Sequence, residues 1–159
     1  MTQKHLSIAA RIVIILFAVL GLAFYGAAVP VGGWQLLEDA PALQYAYLPW
    51  LIFMELMVIP DYAVLVLAWQ VAVSLGHDRA FIPENARRLK LICAVSLVTT
   101  AYFFLGNTVF FFLNMNHPSV YLVSFVLSFI GLAIAAAAAI LSALARKAAD
   151  LQEESELTI

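Results

Sequence analysis

The sequence predicts an all-α integral membrane protein, a bundle of four transmembrane helices with both termini in the cytoplasm. Three observations carry that expectation. Hydrophobic residues make up 65 % of the chain and charged residues only 11 %, where a soluble domain is about half apolar and about a quarter charged. The apolar residues fall in runs long enough for the roughly 20 residues that a helix needs to cross the hydrocarbon core. All eight Lys and Arg residues cluster at the N-terminus, in one central loop and after the last apolar run.

The first helix is expected at 9–30. Residues 12–29 are almost wholly apolar, and Gly32, Gly33 and Trp34 are expected to break the run. Lys4 and Arg11 ahead of it, with Gly26-Ala27-Ala28 behind, have the outline of a secretory leader. The apolar run exceeds the about 7–15 residues of a leader's apolar region, so the helix is expected to be retained. The second helix, 48–75, is interrupted by Glu55 and Asp61. Residues 91–145 hold no Asp, Glu, Lys or Arg and are too long for one span. Asn114-Met115-Asn116-His117-Pro118-Ser119 supplies turn formers that split them into helices at 90–113 and 119–145. The remainder, 146–159, is a tail, and the whole chain reads as a single membrane domain. In lipid each run must satisfy its backbone internally, which leaves helix as the reading.

Lys4 and Arg11 precede the first helix, Arg79, Arg87, Arg88 and Lys90 lie between the second and third, and Arg146 and Lys147 follow the fourth. The positive-inside rule places these three segments in the cytoplasm. Trp34, Tyr45, Tyr47 and Trp50 then sit at the outer boundary, where belt aromatics belong. Phe110-Phe111-Phe112 is expected to face lipid or that same boundary.

The fourth helix carries small residues at steps of three and four: Ser124, Ser128, Gly131, Ala135, Ala139 and Ser142 or Ala143. Small side chains let backbones approach closely in lipid. The face serves either packing within the four-helix bundle, the favoured reading, or a homo-oligomer interface.

Glu55 and Asp61 are the outstanding polar groups, since a charge near mid-membrane costs about 2.5–3.5 kcal/mol on the insertion scale. Pro60, just before Asp61, has no N–H for the carbonyl of Leu56, so a kink or local unwinding is expected there. A six-residue separation sets the two carboxylates roughly 120° apart around a helix. Depth matching pairs Glu55 with Asn107, and Asp61 with Thr99, Thr100 and Tyr102. These groups are expected to act as interhelical hydrogen-bonding glue, with an ion or proton site on Glu55, Asp61 and Asn107 as the alternative.

Composition and motifs exclude much else. A net charge of −2 gives no polycationic surface for direct nucleic-acid binding. One cysteine, Cys93, cannot form an internal disulfide or a cysteine-built zinc site. His5, His77 and His117 fall on a tail, an inner loop and an outer loop, so no shared metal site is expected. Phosphate loops, HExxH and GxSxG are absent, and the chain is expected to be neither an enzyme nor a cofactor binder.

In the central loop, Pro83 followed by Glu84 reads as a helix start that runs on into the third helix. Arg87, Arg88 and Lys90 would then lie at the headgroups. The tail turns from basic Arg146-Lys147 to acidic Glu153, Glu154 and Glu156, and ends on apolar Leu157 and Ile159. It either continues the fourth helix or folds back on the basic loop.

Two stretches carry a resemblance. Ala80-Phe81-Ile82-Pro83-Glu84-Asn85-Ala86-Arg87-Arg88-Leu89-Lys90-Leu91-Ile92 resembles the central motif of the bacterial membrane-protein family called domain of unknown function 2975. Leu151-Gln152-Glu153-Glu154-Ser155-Glu156-Leu157-Thr158-Ile159 resembles that family's C-terminal ending, with Ser155-Glu156 where Asn-Asp is frequent. The resemblance implies a bacterial inner-membrane protein without an assigned activity. It also implies a partner class, because genes of this type often adjoin those of small helix-turn-helix regulators.

The first functional expectation is an interaction or regulatory protein. Its cytoplasmic surface would comprise Phe81, Pro83, Glu84, Asn85, Arg87 and Arg88 from the loop, with Glu153, Glu154, Leu157 and Ile159 from the tail. The second is a small ion- or proton-coupled transporter centred on Asp61 and Glu55.

Overall fold

Proline placement explains where the helices of this chain start and where they bend. The computed structural model describes residues 3–77 and 81–157. Its first span comprises α1 (Gln3–Ala23), a π-helical segment (Phe24–Ala28) and α2 (Val29–Asp39). Its second comprises a 3₁₀ helix (Pro41–Ala46), α3 (Tyr47–Glu55) and α4 (Val58–Gly76). The third and fourth are the single helices α5 (Pro83–Phe112) and α6 (Pro118–Leu157). Pro41, Pro83 and Pro118 open their helices, where a missing N–H costs nothing. Pro30 and Pro60 lie inside spans, and each deletes the N–H that would reach the carbonyl four residues earlier. Those carbonyls belong to Gly26, in the middle of the π segment, and Leu56, in the break between α3 and α4. The expected unwinding beside Pro60 is therefore present, and Pro30 has a counterpart of its own.

Four helices are long and apolar enough to cross a membrane, as expected, but their bounds differ from the expected ones. The first does not stop at residue 30. Gly32 and Gly33 stay helical because each keeps its backbone N–H, and the bare Gly33 lets the second span close in. A Cβ there would stand 2.8 Å from the Trp50 ring. The third span, expected from 90, is continuous with the helix start expected at Pro83, and the fourth continues past 145 as helix to Leu157. The tail thus extends α6 and does not fold back.

Consecutive spans run antiparallel, so the described Lys and Arg residues gather at one end of the molecule. Ser7 meets Ala72 there, Arg88 meets Ser74 and Ser142 meets Ala86. At the other end α5 closes in a Schellman turn. Asn114 adopts φ 56°, its N–H donates to Phe111 O at 3.1 Å, and Met115 N–H donates to Phe110 O at 2.8 Å. Asn is among the few residues that adopt this left-handed conformation readily.

The spans pack in sequence order. Tyr62 donates to the Ala18 carbonyl at 2.7 Å and Tyr47 to the Pro30 carbonyl at 3.1 Å, joining first to second. Second and third share a core around Phe53, which stacks on Tyr102 and Phe103 and meets Phe110 edge-on. Third and fourth meet along the small-residue face of α6. Ser124, Ser128, Ala135, Ala138, Ala145 and Ala149 are buried, and Gly131 leaves room for the Thr100 side chain. Of the residues that the spacing placed on this face, Ser124, Ser128, Gly131 and Ala135 pack within the bundle, while Ala139 and Ala143 are exposed. Of the phenylalanine triplet only Phe112, 76 % exposed, faces outward. Phe110 packs on Phe53, and Phe111 stacks on Tyr121 at 4.6 Å. The first and fourth spans do not pack along their length. They flank a groove floored by Trp50, Met54, Phe103 and Asn107.

Gly106 tests this packing. A Cβ on it would overlap the Phe53 ring. Gly106→Ala is expected to cost about 1–3 kcal/mol, the usual range for overpacking, despite alanine's better helix propensity. Gly32→Ala, which meets open space, is expected to leave stability unchanged or raise it by up to about 1 kcal/mol. Unfolding of both variants in detergent checks the pair.

Candidate functional site

Two sets of polar residues stand out, one at the charged end and one inside the membrane. The charged end is built on the start of α5. Ile82 precedes the helix in extended conformation, φ −106° and ψ 149°, and Pro83 fixes the first turn. The N–H of Asn85 then donates to Ile82 O at 3.0 Å. This turn points Asn85 inward, where it is fully buried. Arg88, one turn on, donates to Asn85 Oδ1 at 2.9 Å and to Ser74 Oγ at 3.3 Å, tying the third span to the end of the second. It also approaches Glu84 at 3.7 Å, in an i,i+4 pair whose carboxylate is half exposed. The Arg88 Nε is buried without a hydrogen-bond partner among the described residues. Ala86 is buried, and its carbonyl accepts from Ser142 Oγ at 2.7 Å, which ties in the fourth span.

A parallel arrangement holds the first span. Ser7 is completely buried and donates to Ala72 O at 2.6 Å. It accepts from Arg11 Nη2 at 2.8 Å and Nε at 3.2 Å. Gly76 makes room, since a Cβ there would lie 2.7 Å from the Ser7 hydroxyl. One guanidinium therefore braces each junction. Charge-assisted hydrogen bonds of this kind are roughly twice as strong as neutral ones.

The expected partner-facing residues divide accordingly. Asn85 is turned inside and Arg88 is engaged within the chain, so neither side chain is offered outward; this corrects their assignment. Phe81, Pro83, Glu84 and Arg87 are exposed, as are Glu153 and Glu154 on the extension of α6. The side chain of Leu157 and the whole of Ile159 lie outside the described residues. Sequence reasoning missed Leu151, which is 58 % exposed on that extension. An apolar residue in an acidic helical tail was the available signal.

Inside the membrane, Tyr25 Oη donates to Asp61 Oδ2 at 2.5 Å. Tyr25 lies in the π segment and Asp61 just past the break before α4, so the irregular backbones of two spans meet at this bond. Glu55 lies within electrostatic reach of the same hydroxyl. The depth-matched partners were different ones. Asn107 is buried and holds Phe103 O at 2.9 Å and Asn116 Nδ2 at 3.0 Å, while Tyr102 donates to Phe53 O at 3.2 Å. Thr100 sits against Gly131. Depth matching compared the second helix with the third alone. Tyr25 was equally available on the first, at the matching height of an antiparallel hairpin. Asp61 and Glu55 thus share the surroundings of the Tyr25 hydroxyl, and Asn107 is engaged elsewhere, with Phe103 and Asn116. No group of three or more His, Cys, Asp or Glu that could hold a metal occurs among the described residues.

Tyr25→Phe removes one hydroxyl and keeps the ring. It is expected to lower stability by about 0.6–1.7 kcal/mol, the measured range for hydrogen bonds between membrane helices. In the Asp61→Asn background the same change is expected to cost less, because the neutral amide is a weaker acceptor. A double-mutant cycle by detergent unfolding reads the coupling.

Comparison with known proteins agrees with this architecture. An uncharacterized membrane protein of Bacillus subtilis (strain 168), YoaS, is 29 % identical over 118 residues, covering 72 % of this chain and 74 % of the relative. No solved structure matches. The family profile described as "Protein of unknown function (DUF2975)" matches residues 31–159, from α2 at the end of the first span through both resembling motifs, and the chain belongs to that family of membrane proteins.

Proposed function

We propose that the protein is a membrane-embedded docking protein of the bacterial inner membrane, with its charged end in the cytoplasm. One observation carries the reading: α6 does not end at the membrane face. Ser142 is level with Ala86, and Ala149 is the last buried residue. By helical rise, Leu157 lies roughly 18 Å beyond the start of α5, and the residues from Asp150 on make up the outer roughly 10 Å of that projection. A helix that only spans the bilayer has no use for these turns. They display Leu151, Glu153 and Glu154 on an acidic rod, with Phe81 exposed nearby at the foot of α5.

The chemistry fits a soluble partner with a basic surface and a small apolar patch. A helix-turn-helix regulator has such a surface, the one it turns to DNA. Acidic side chains at the membrane would compete for it and hold the regulator away from its operator. The positive-inside distribution of Lys and Arg supports the cytoplasmic placement of this end. The transporter reading has less to stand on, since Asp61 is already hydrogen-bonded to Tyr25 and neither it nor Glu55 lines the cavities described between the spans.

A photo-reactive residue in place of Glu153, in native membranes, tests the proposal. The chain is expected to cross-link a soluble DNA-binding protein, and Leu151→Ala with Glu154→Lys to lose that product without loss of membrane insertion. A cross-link pattern of lipid and self-products alone would contradict it.

A further inference from the structure

Two cavities adjoin each other at the end that carries no Lys or Arg among the described residues. The first, about 240 Å³, lies beneath the turn that carries Asn116, His117 and Ser119. The second, about 590 Å³, is the groove between the first and fourth spans. Gly33, Leu36, Trp50 and Val120 line both, so the two share a wall, and together they make a cleft with a polar mouth and a largely apolar body. We infer that this cleft is a binding site for one neutral amphiphile, its oxygen-bearing head under the 114–119 turn and its apolar tail in the groove.

The mouth has hydrogen-bonding capacity to spare. Asn116 is 9 % exposed and gives an N–H to Asn107, while its carbonyl oxygen accepts no hydrogen bond among the described residues. Asn107, in the floor of the groove and bonded to Asn116 at the mouth, is 1 % exposed and donates one N–H to Phe103 O. Its second N–H has no acceptor among the described residues. His117 Nδ1 lies 3.2 Å from the backbone N–H of Ser119 and 2.6 Å from its hydroxyl; in the tautomer that accepts from both, Nε2 carries the N–H. The cleft therefore offers donors from His117 and Asn107 and an acceptor from Asn116, which suits carbonyl and hydroxyl oxygens.

Charge and size narrow the occupant. Among the described residues no Lys, Arg, Asp or Glu lines either cavity, and the Lys and Arg residues lie at the opposite end of the molecule, so a phosphate head finds no cation here. From Phe24 to Leu36 the groove runs roughly 18 Å along the first span. The groove offers about 590 Å³ along that length, which accommodates a chain-thin tail. Its lower walls, Phe24, Val123 and Leu127, are apolar. A diacylglycerol and an isoprenoid quinone share the required chemistry.

Trp50, in the shared wall, is the reporter. The full chain with Trp34→Phe and Trp69→Phe is placed in phosphatidylcholine nanodiscs and titrated with a chain-brominated diacylglycerol or a naphthoquinone, both of which quench indole on contact. Saturable quenching of Trp50 is expected with at least one probe, and the probe that saturates assigns the head. Gly32→Phe fills the groove from a position where a Cβ meets open space. Val123→Phe fills it from the opposite wall. Each is expected to weaken binding at least tenfold at unchanged melting temperature, and His117→Ala to weaken it severalfold. Quenching that rises linearly with probe for both, or is the same in the filled variants, would overturn the site. Equal competition by phosphatidylglycerol would overturn the neutral head.

Discussion

Inside a bilayer a polar group has no water to turn to, and the architecture of this protein follows from where it sends such groups. Most backbone groups are satisfied within helices. Several side-chain hydroxyls go to the backbone carbonyls of a neighbouring span. Tyr47 takes the Pro30 carbonyl, Tyr62 the Ala18 carbonyl, Ser7 the Ala72 carbonyl and Ser142 the Ala86 carbonyl. The spans are thus joined at many single hydrogen bonds, each made by a hydroxyl small or slim enough to reach another helix's backbone. Apolar contact fills the space between. It does not by itself favour protein over lipid, which is why small residues and polar atoms mark every seam.

The same constraint gives the central motif its meaning. Pro83, Asn85, Ala86 and Arg88 fall within two turns, and each has a separate mechanical task. The proline sets the helix start, the buried asparagine receives the arginine, the arginine reaches the second span, and the alanine admits the fourth. Headgroup attraction accounts for the arginines as charges but not for the order of residue types. The packing accounts for both. Function is left to what this scaffold displays rather than to the motif itself: the foot of α5 and the projecting turns of α6.

Much of the fold was legible because it follows from patterns that the bilayer imposes. Span number came from the apolar runs, and the turn at 114–119 from its Asn and Pro. The break before α4 came from Pro60. Helix ends were less legible, since glycines that would break a helix in water are carried through when packing needs the room, as Gly33 shows against Trp50. The tail's helicity was one of two readings that local charge could not separate. Partners inside the membrane were the least legible. Asp61, Thr100 and Tyr102 were placed at the right depth, but depth does not say which neighbour a side chain turns to. Tyr25 was overlooked because only one of the adjoining helices was compared. Asn85 was read as a surface group because asparagine usually is one, and its burial depends on an arginine one turn away.

The central claim is that the Asn85–Arg88 pair holds the spans together with no partner bound. It is tested most directly by the stability of purified Asn85→Ala and Arg88→Ala, alone and combined, measured by unfolding in detergent. The account predicts that Asn85→Ala alone costs about 1–3 kcal/mol, the penalty for stripping a buried donor of its acceptor. The double variant should then be less destabilised than the two single losses added together. Unchanged stability in both single variants would contradict the account and return these residues to the protein's surface chemistry.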